Sequence, residues 1–283
     1  MNSKHLAKSF FGFDRIIGPI LKNINDINEA GKYKIDIKFF AGDTPAQQAL
    51  GGFIESVGQA KYPCRECLVE KEKILDIKKE SDCVLRDTVD IKKQIEDENF
   101  TKGLKRDAAA YALNFDPIKN TPQDPMHVIL EGIARRLIQD FIKSWVQLEN
   151  GTRRAELSEI NARIKNFNYN AIHLKDKIKT NIIETDLYKN EIIIQSSHMK
   201  VLLELLPLIF NDIIDTTSMD YKLINLLRKI TMITFDFEPS EQALNTLEVL
   251  IEKFIDLWQL FYGEKSGFPK LHYLVHLPKW IRK

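Results

Sequence analysis

Residues 32–67, KYKIDIKFFAGDTPAQQALGGFIESVGQAKYPCREC, constrain this chain more than any other stretch. Tyr33, Ile35, Ile37 and Phe39 alternate with Lys34, Asp36 and Lys38. A period of two in β-branched and aromatic residues predicts a half-buried strand over 32–41. Gly42 breaks it and leaves Asp43 at its carboxyl end, a usual place for a metal-ligating or catalytic acid. Pro45 suits the first turn of a helix with Ala46, Ala49, Leu50 and Phe53 inward. Cys64 and Cys67 follow as C-x-x-C, a spacing that can place two thiolates on one metal ion. Two small apolar core residues or a redox pair are equally open readings of those cysteines.

The rest of the chain is helical in pattern. Residues 13–30 carry Ile16, Ile17, Ile20, Leu21, Ile24 and Ile27 on one side, and Gly31 ends them. Helix, strand and helix make a small α/β front, with a second short strand expected around 188–195. Residues 69–106 are highly charged and read as a solvated face or connector, with Cys83 a bystander thiol. From Pro125 on, helices are expected over 126–148, 154–167, 198–213, 221–235 and 240–261. The last carries Leu244, Leu247, Ile251, Phe254, Trp258 and Phe261 at core-facing spacing. The fold class expected is mainly α with a small α/β part, divided at 1–68, 69–124 and 125–283.

Composition excludes little beyond extremes. At 283 residues, 44% hydrophobic and 29% charged, the chain has the balance of a globular protein. A net charge of +1 argues against nucleic-acid binding by sheer basicity. Three cysteines without framework spacing suggest a reducing, intracellular setting. The start, MNSKHLAKSFFGF, does not read as a signal peptide, and the most apolar run, 201–210, is too short to span a membrane.

Near the end, FPKLHYLVHLPKW places His272 and His276 four apart, on one face of a helix. Two imidazoles so placed can share an ion, although Tyr273 stands where the zincin motif has its Glu base. With Cys64 and Cys67 they would complete a closed Cys2His2 site, the set of a structural rather than a catalytic zinc.

In order, these motifs resemble those of DDE/D transposases of the CACTA-like cut-and-paste superfamily. GDTPAQQALGGF resembles the block holding the second catalytic Asp, which maps to Asp43. CREC supplies the cysteine pair, and FPKLHYLVHLP the later histidines. TPQDPMHVILEGI, with Asp124 and His127, resembles the internal D-x-M-H segment. SSHMKVLLELLPLIF resembles a further helical block. The resemblance implies a truncated RNase H-like core with a large helical insertion domain and a structural Zn2+ on Cys64, Cys67, His272 and His276. It also implies Mg2+ or Mn2+ at Asp43 in an intact parent, DNA (transposon ends) as partner, and a nuclear location.

The match is partial. The family's first Asp would lie on an earlier strand and its final Glu beyond the H-x-x-x-H, and neither is found here. A lone carboxylate holds Mg2+ too weakly to assemble a two-metal clamp, so the isolated chain is expected not to cut DNA. A non-catalytic zinc-stapled helical module for protein or DNA interaction is the alternative, and a helical scaffold with unrelated Cys and His pairs is the third. For Asp124 and His127, a helix cap with a packed imidazole competes with a role near DNA.

Overall fold

A computed structural model describes residues 12–112, 115–147, 154–169, 174–179, 181–188 and 191–282. The protein is mainly helical, and the only β pairing among these residues is two isolated bridges, Phe53 with Leu104 and Cys67 with Leu85. The chain forms two compact units. The first comprises residues up to 124 together with 267–281; the second comprises 125–266 together with Arg282.

The first unit begins with α1 (Gly12–Glu29), which carries Pro19 within it. Its buried Leu21 meets Ala49, Leu50, Ala110 and Phe115 in one apolar cluster. Ala49 and Leu50 come from α2 (Thr44–Leu50), which has Pro45 in its first turn. A second cluster joins Phe53, Leu104, Ala108, Tyr111 and Ile118 to Ile91 of α3 (Thr88–Glu96). Most of the charged stretch 69–106 faces solvent, while Ile74, Leu75, Ile91 and Leu104 within it are buried and join the core. Val84, Leu85, Val89 and Phe100 of the same stretch are exposed.

The strand expected over 32–41 is not formed. Residues 33–41 are irregular and pair with no ladder, and Tyr33, Ile35 and Phe39 are 63%, 40% and 48% exposed. Alternation specifies a strand only when a neighbouring backbone completes a ladder with it, and no ladder forms over this stretch. Asn28 and Asn120 tie the segment instead. Asn28 donates to the Ile35 carbonyl at 2.8 Å and accepts from its N–H at 2.6 Å. Asn120 donates to the Lys38 carbonyl at 2.7 Å and accepts from the Phe40 N–H through its own carbonyl at 2.8 Å. Residues 191–195 are likewise unpaired, while 189–190 of the second expected strand lie outside the described residues.

The second unit opens with nine residues of π-helix, Met126–Ala134, running into α4 (Arg135–Val146). The single α-helix expected from 126 is therefore wound differently over its first half; residue 148, its expected end, is not described. Next come α5 (Leu157–Asn166), α6 (Ser196–Ile209), α7 (Met219–Thr234) and α8 (Glu241–Tyr262). Ser218 and Ser240 cap α7 and α8 by accepting from Tyr221 and Ala243 N–H groups. Helices α7 and α8 pack together, and Leu227, Leu247, Phe254 and Trp258 are fully buried. Phe261, expected inward on α8, is 43% exposed. Arg282 spreads its guanidinium over α8, donating to Glu241 at 2.9 Å and to Asn245 at 2.8 Å.

Candidate metal centre

The chain leaves the first unit after Asp124 and returns to it at Gly267, which places the last histidines beside the early cysteines. The returning segment is wound in three short pieces: α9 (Pro269–Tyr273), a 3-10 turn (Leu274–His276) and α10 (Leu277–Ile281). Pro269 starts α9 without needing an N–H, and Leu271, Tyr273, Leu274 and Leu277 are all buried.

The cysteines sit in a tight knuckle. The Glu66 N–H donates to Cys64 Sγ at 3.3 Å, turning the chain so that Cys67 faces the same way. Residues 84–86 brace this turn from outside. Leu68 N–H donates to the Val84 carbonyl at 2.8 Å, and Arg86 N–H to the Glu66 carbonyl at 2.9 Å. The Arg86 side chain donates to the Cys64 carbonyl at 2.9 Å. Arg65 is fully buried and holds the other side, giving hydrogen bonds to the Thr121 hydroxyl and to the Thr121 and Pro122 carbonyls.

Cys64, Cys67, His272 and His276 converge and are all buried, positioned to hold one metal ion. Their ligand atoms all lie within 4.8 Å of one another. Cys64 Sγ is 3.5 Å from His276 Nε2, Cys67 Sγ is 3.1 Å from His272 Nε2, and the two Nε2 atoms are 3.3 Å apart. With four protein donors the set is closed, leaving no position for a reacting water.

The ionisable groups inside the site lie close enough to act on one another. Burial would raise the Cys64 thiol, but hydrogen bonding from Cys67 and the charge of His276 hold it well below the usual thiol range. Hydrogen bonding to Cys64 and Cys83, together with burial, pushes Cys67 up. Burial lowers His272. Burial also works against a charged His276, yet Glu66 and the Cys64 thiolate raise it well above the imidazole range. Ligation needs deprotonated thiols and neutral imidazoles, so an entering metal ion would displace protons from this set.

Residues around the ligands were invisible to spacing arguments. His276 Nδ1 is 3.1 Å from Glu80 Oε1 and 3.8 Å from Glu66 Oε2. Lys279 Nζ reaches Glu66 at 3.2 Å and Glu80 at 3.0 Å, and Trp280 Nε1 donates to Glu66 at 2.9 Å. The Tyr273 hydroxyl donates to the Pro63 carbonyl at 2.9 Å. The one available signal was Glu66 itself, an acid inside the C-x-x-C.

The other expected site residues are placed differently. Asp43 is the N-cap of α2, half-buried, with Oδ1 accepting from the Ala46 N–H at 2.8 Å. With no strand before it, it stands at no strand end. A cavity of about 310 Å³ lies beside α1, with Asn25, Asn28, Lys34 and Phe115 in its wall, and Asp43 does not line it. Among the described residues Asp43 belongs to no metal-competent group of three acidic, His or Cys side chains. Pro125 already has helical φ and ψ at the head of the π-helix, so Asp124 is the residue that immediately precedes the helical winding. His127 is half-buried, with Nε2 3.6 Å from Glu131, and the Ser196 hydroxyl donates to the same Glu131 at 2.5 Å.

No family model, curated protein or solved structure matches this chain.

Proposed function

We propose that the chain is a segment or degenerate form of a DDE-type transposase. In this reading it combines part of an RNase H-like core with a helical insertion, stapled by a structural zinc. The observation that carries this reading is the convergence of Cys64 and Cys67 with His272 and His276, which are 212 and 205 residues apart in their closest pairs. Pairing across that distance is what the motif order implies, and unrelated Cys and His pairs would have no reason to meet.

Zinc fits the donor set. With sulfur at ~2.3 Å and nitrogen at ~2.0–2.1 Å, a tetrahedral site has N–N edges of ~3.3–3.4 Å and S–N edges of ~3.5–3.6 Å. The N–N distance of 3.3 Å and one S–N distance of 3.5 Å match these, and the other S–N distance, 3.1 Å, is slightly short. Bound there, zinc would supply cross-linking, joining the knuckle to the returning segment without taking part in a reaction.

The engagement of Asp43 as a helix cap favours the non-catalytic version of this reading, in which the zinc-stapled module serves contacts with DNA or protein. Transposon-end DNA would be the partner of the intact parent, and the nucleus its location.

Metal analysis and a cleavage assay on purified residues 1–283 test the proposal together. One zinc per chain, and no nicking or strand transfer of supercoiled or linear DNA with Mg2+ or Mn2+, is the expected result. A well-folded chain without zinc would overturn the staple. Cleavage abolished by Asp43→Ala would overturn the non-catalytic assignment.

A further inference from the structure

The two histidines of the metal centre differ in what holds them. His272 Nδ1 is buried with no hydrogen-bond partner among the described residues. His276 Nδ1 faces Glu80 at 3.1 Å. Glu80 opens a short 3-10 turn (Glu80–Asp82) in the charged stretch that follows the cysteine pair, far in sequence from the histidines.

We propose that Glu80 is a positioning residue of the metal centre, fixing the Nδ1-protonated tautomer of His276 so that Nε2 is the atom presented to the ion. This rests on the metal reading above. A neutral imidazole carries one proton, and a carboxylate at Nδ1 keeps it there, leaving the Nε2 lone pair free toward Cys64. The same contact raises the basicity of the ligating nitrogen.

The surroundings make the arrangement specific. Glu66, Glu80 and His276 together have the spacing of a second cation site. Lys279 already supplies that cation, its ammonium lying 3.2 Å from Glu66 and 3.0 Å from Glu80. This permits two carboxylates side by side without a second metal ion. Trp280 adds a hydrogen bond to Glu66 at 2.9 Å, holding that carboxylate toward α10 while Glu80 takes the imidazole. The outer shell therefore bridges the knuckle, the 3-10 turn and the returning segment through contacts that do not pass through the metal.

The test compares the full chain with Glu80→Gln and Glu66→Gln. Zinc affinity is read by competition with a chromophoric chelator, and ligand geometry by the visible spectrum of the cobalt-substituted protein. Glu80→Gln keeps size and a carbonyl acceptor but removes the charge, so affinity should fall about 10- to 100-fold, the range for lost outer-shell partners. The cobalt spectrum should change, and the thermal midpoint should fall more in the zinc-loaded protein than in the metal-stripped one. Glu66→Gln should weaken zinc less, because Glu66 is 3.8 Å from the ring nitrogen. If Glu80→Gln fails to fold, Glu80→Asp, with the charge kept and the reach shortened, replaces it and should weaken zinc in the same way. Tight zinc binding by the parent with unchanged affinity in the variant overturns the Glu80 assignment alone. Equal destabilisation of the metal-stripped forms overturns it as well, by showing a purely structural role. A parent chain that binds no zinc overturns the metal reading and the Glu80 assignment with it.

Discussion

His272 and His276 hold their Nε2 atoms 3.3 Å apart at the centre of a fully buried site. Two imidazolium groups could not both be charged at that distance in a low-dielectric interior, and together with the two cysteine sulfurs the rings converge on the position of one shared cation. Removing it should therefore destabilise the first unit and spare the second. Hydrogen exchange before and after chelation checks this. Amides of Ile74, Leu75 and Ile91 should lose protection, while those of α7 and α8 should not. Cys67→Ser should reproduce the effect and abolish zinc binding.

The ligands were legible in the sequence because C-x-x-C and H-x-x-x-H are local spacings set by chain geometry. The helices after Pro125 were legible too, since their buried faces repeat with the helical period. The strand over 32–41 was misread for the opposite reason. Its pattern is local, but a strand is a non-local object, and the contacts of Asn28 and Asn120 stand in for the ladder it lacks. Glu80, Lys279 and Trp280 were hidden because their role depends on which segments meet. The π-helical winding of Met126–Ala134 left no sequence signal that we can name.

Gly52 should be irreplaceable. Its φ of +71° lies in the left-handed region, and a Cβ there would meet the Arg106 carbonyl oxygen at 2.3 Å. That carbonyl is backbone and cannot swing away, because Lys105 and Arg106 N–H groups both donate to Gly52 O. Gly52→Ala should lower the first unit's stability by more than the ~1 kcal/mol of an unstrained Gly-to-Ala change in the reverse direction. Thermal melts of the zinc-loaded protein would show it, and Gly58→Ala, with open space around its Cβ position, should be nearly neutral.

In the second unit the α7–α8 seam should dominate stability. Leu227 and Leu247 are both wholly buried, and truncating either to Ala should cost about 2–5 kcal/mol. Val249, 47% exposed on the same α8, should lose well under half as much. Urea unfolding of the three variants would rank them.

High pH should destabilise this unit through Tyr262. Burial, then the charge of Asp140, raises its phenol well above the ordinary tyrosine value of about 10. Its hydroxyl donates to Asp140 Oδ2 at 3.0 Å. A folded-state value above the unfolded one means the unfolded chain releases its proton first, so the contribution is whole below about pH 10 and shrinks as pH rises beyond it. Tyr262→Phe should flatten the loss of stability above that pH. An unchanged slope in the variant would assign the effect elsewhere, to Tyr111 among others, whose phenol is also raised by burial.

Asp43 allows its two possible roles to be separated. As the N-cap of α2 it satisfies the Ala46 N–H, a function that Asn or Ser performs about as well as Asp. As a metal ligand it would need its charge, which neither replacement supplies. Asp43→Ala should therefore cost about 0.5–2 kcal/mol, whereas Asp43→Asn and Asp43→Ser should stay near the parent. Manganese titration followed by electron paramagnetic resonance supplies the second axis. No variant should alter Mn2+ binding if the carboxylate acts only as a cap. Loss of a bound Mn2+ in Asp43→Asn, with stability unchanged, would show that the charge serves a cation, and the catalytic reading of this residue would then replace the structural one.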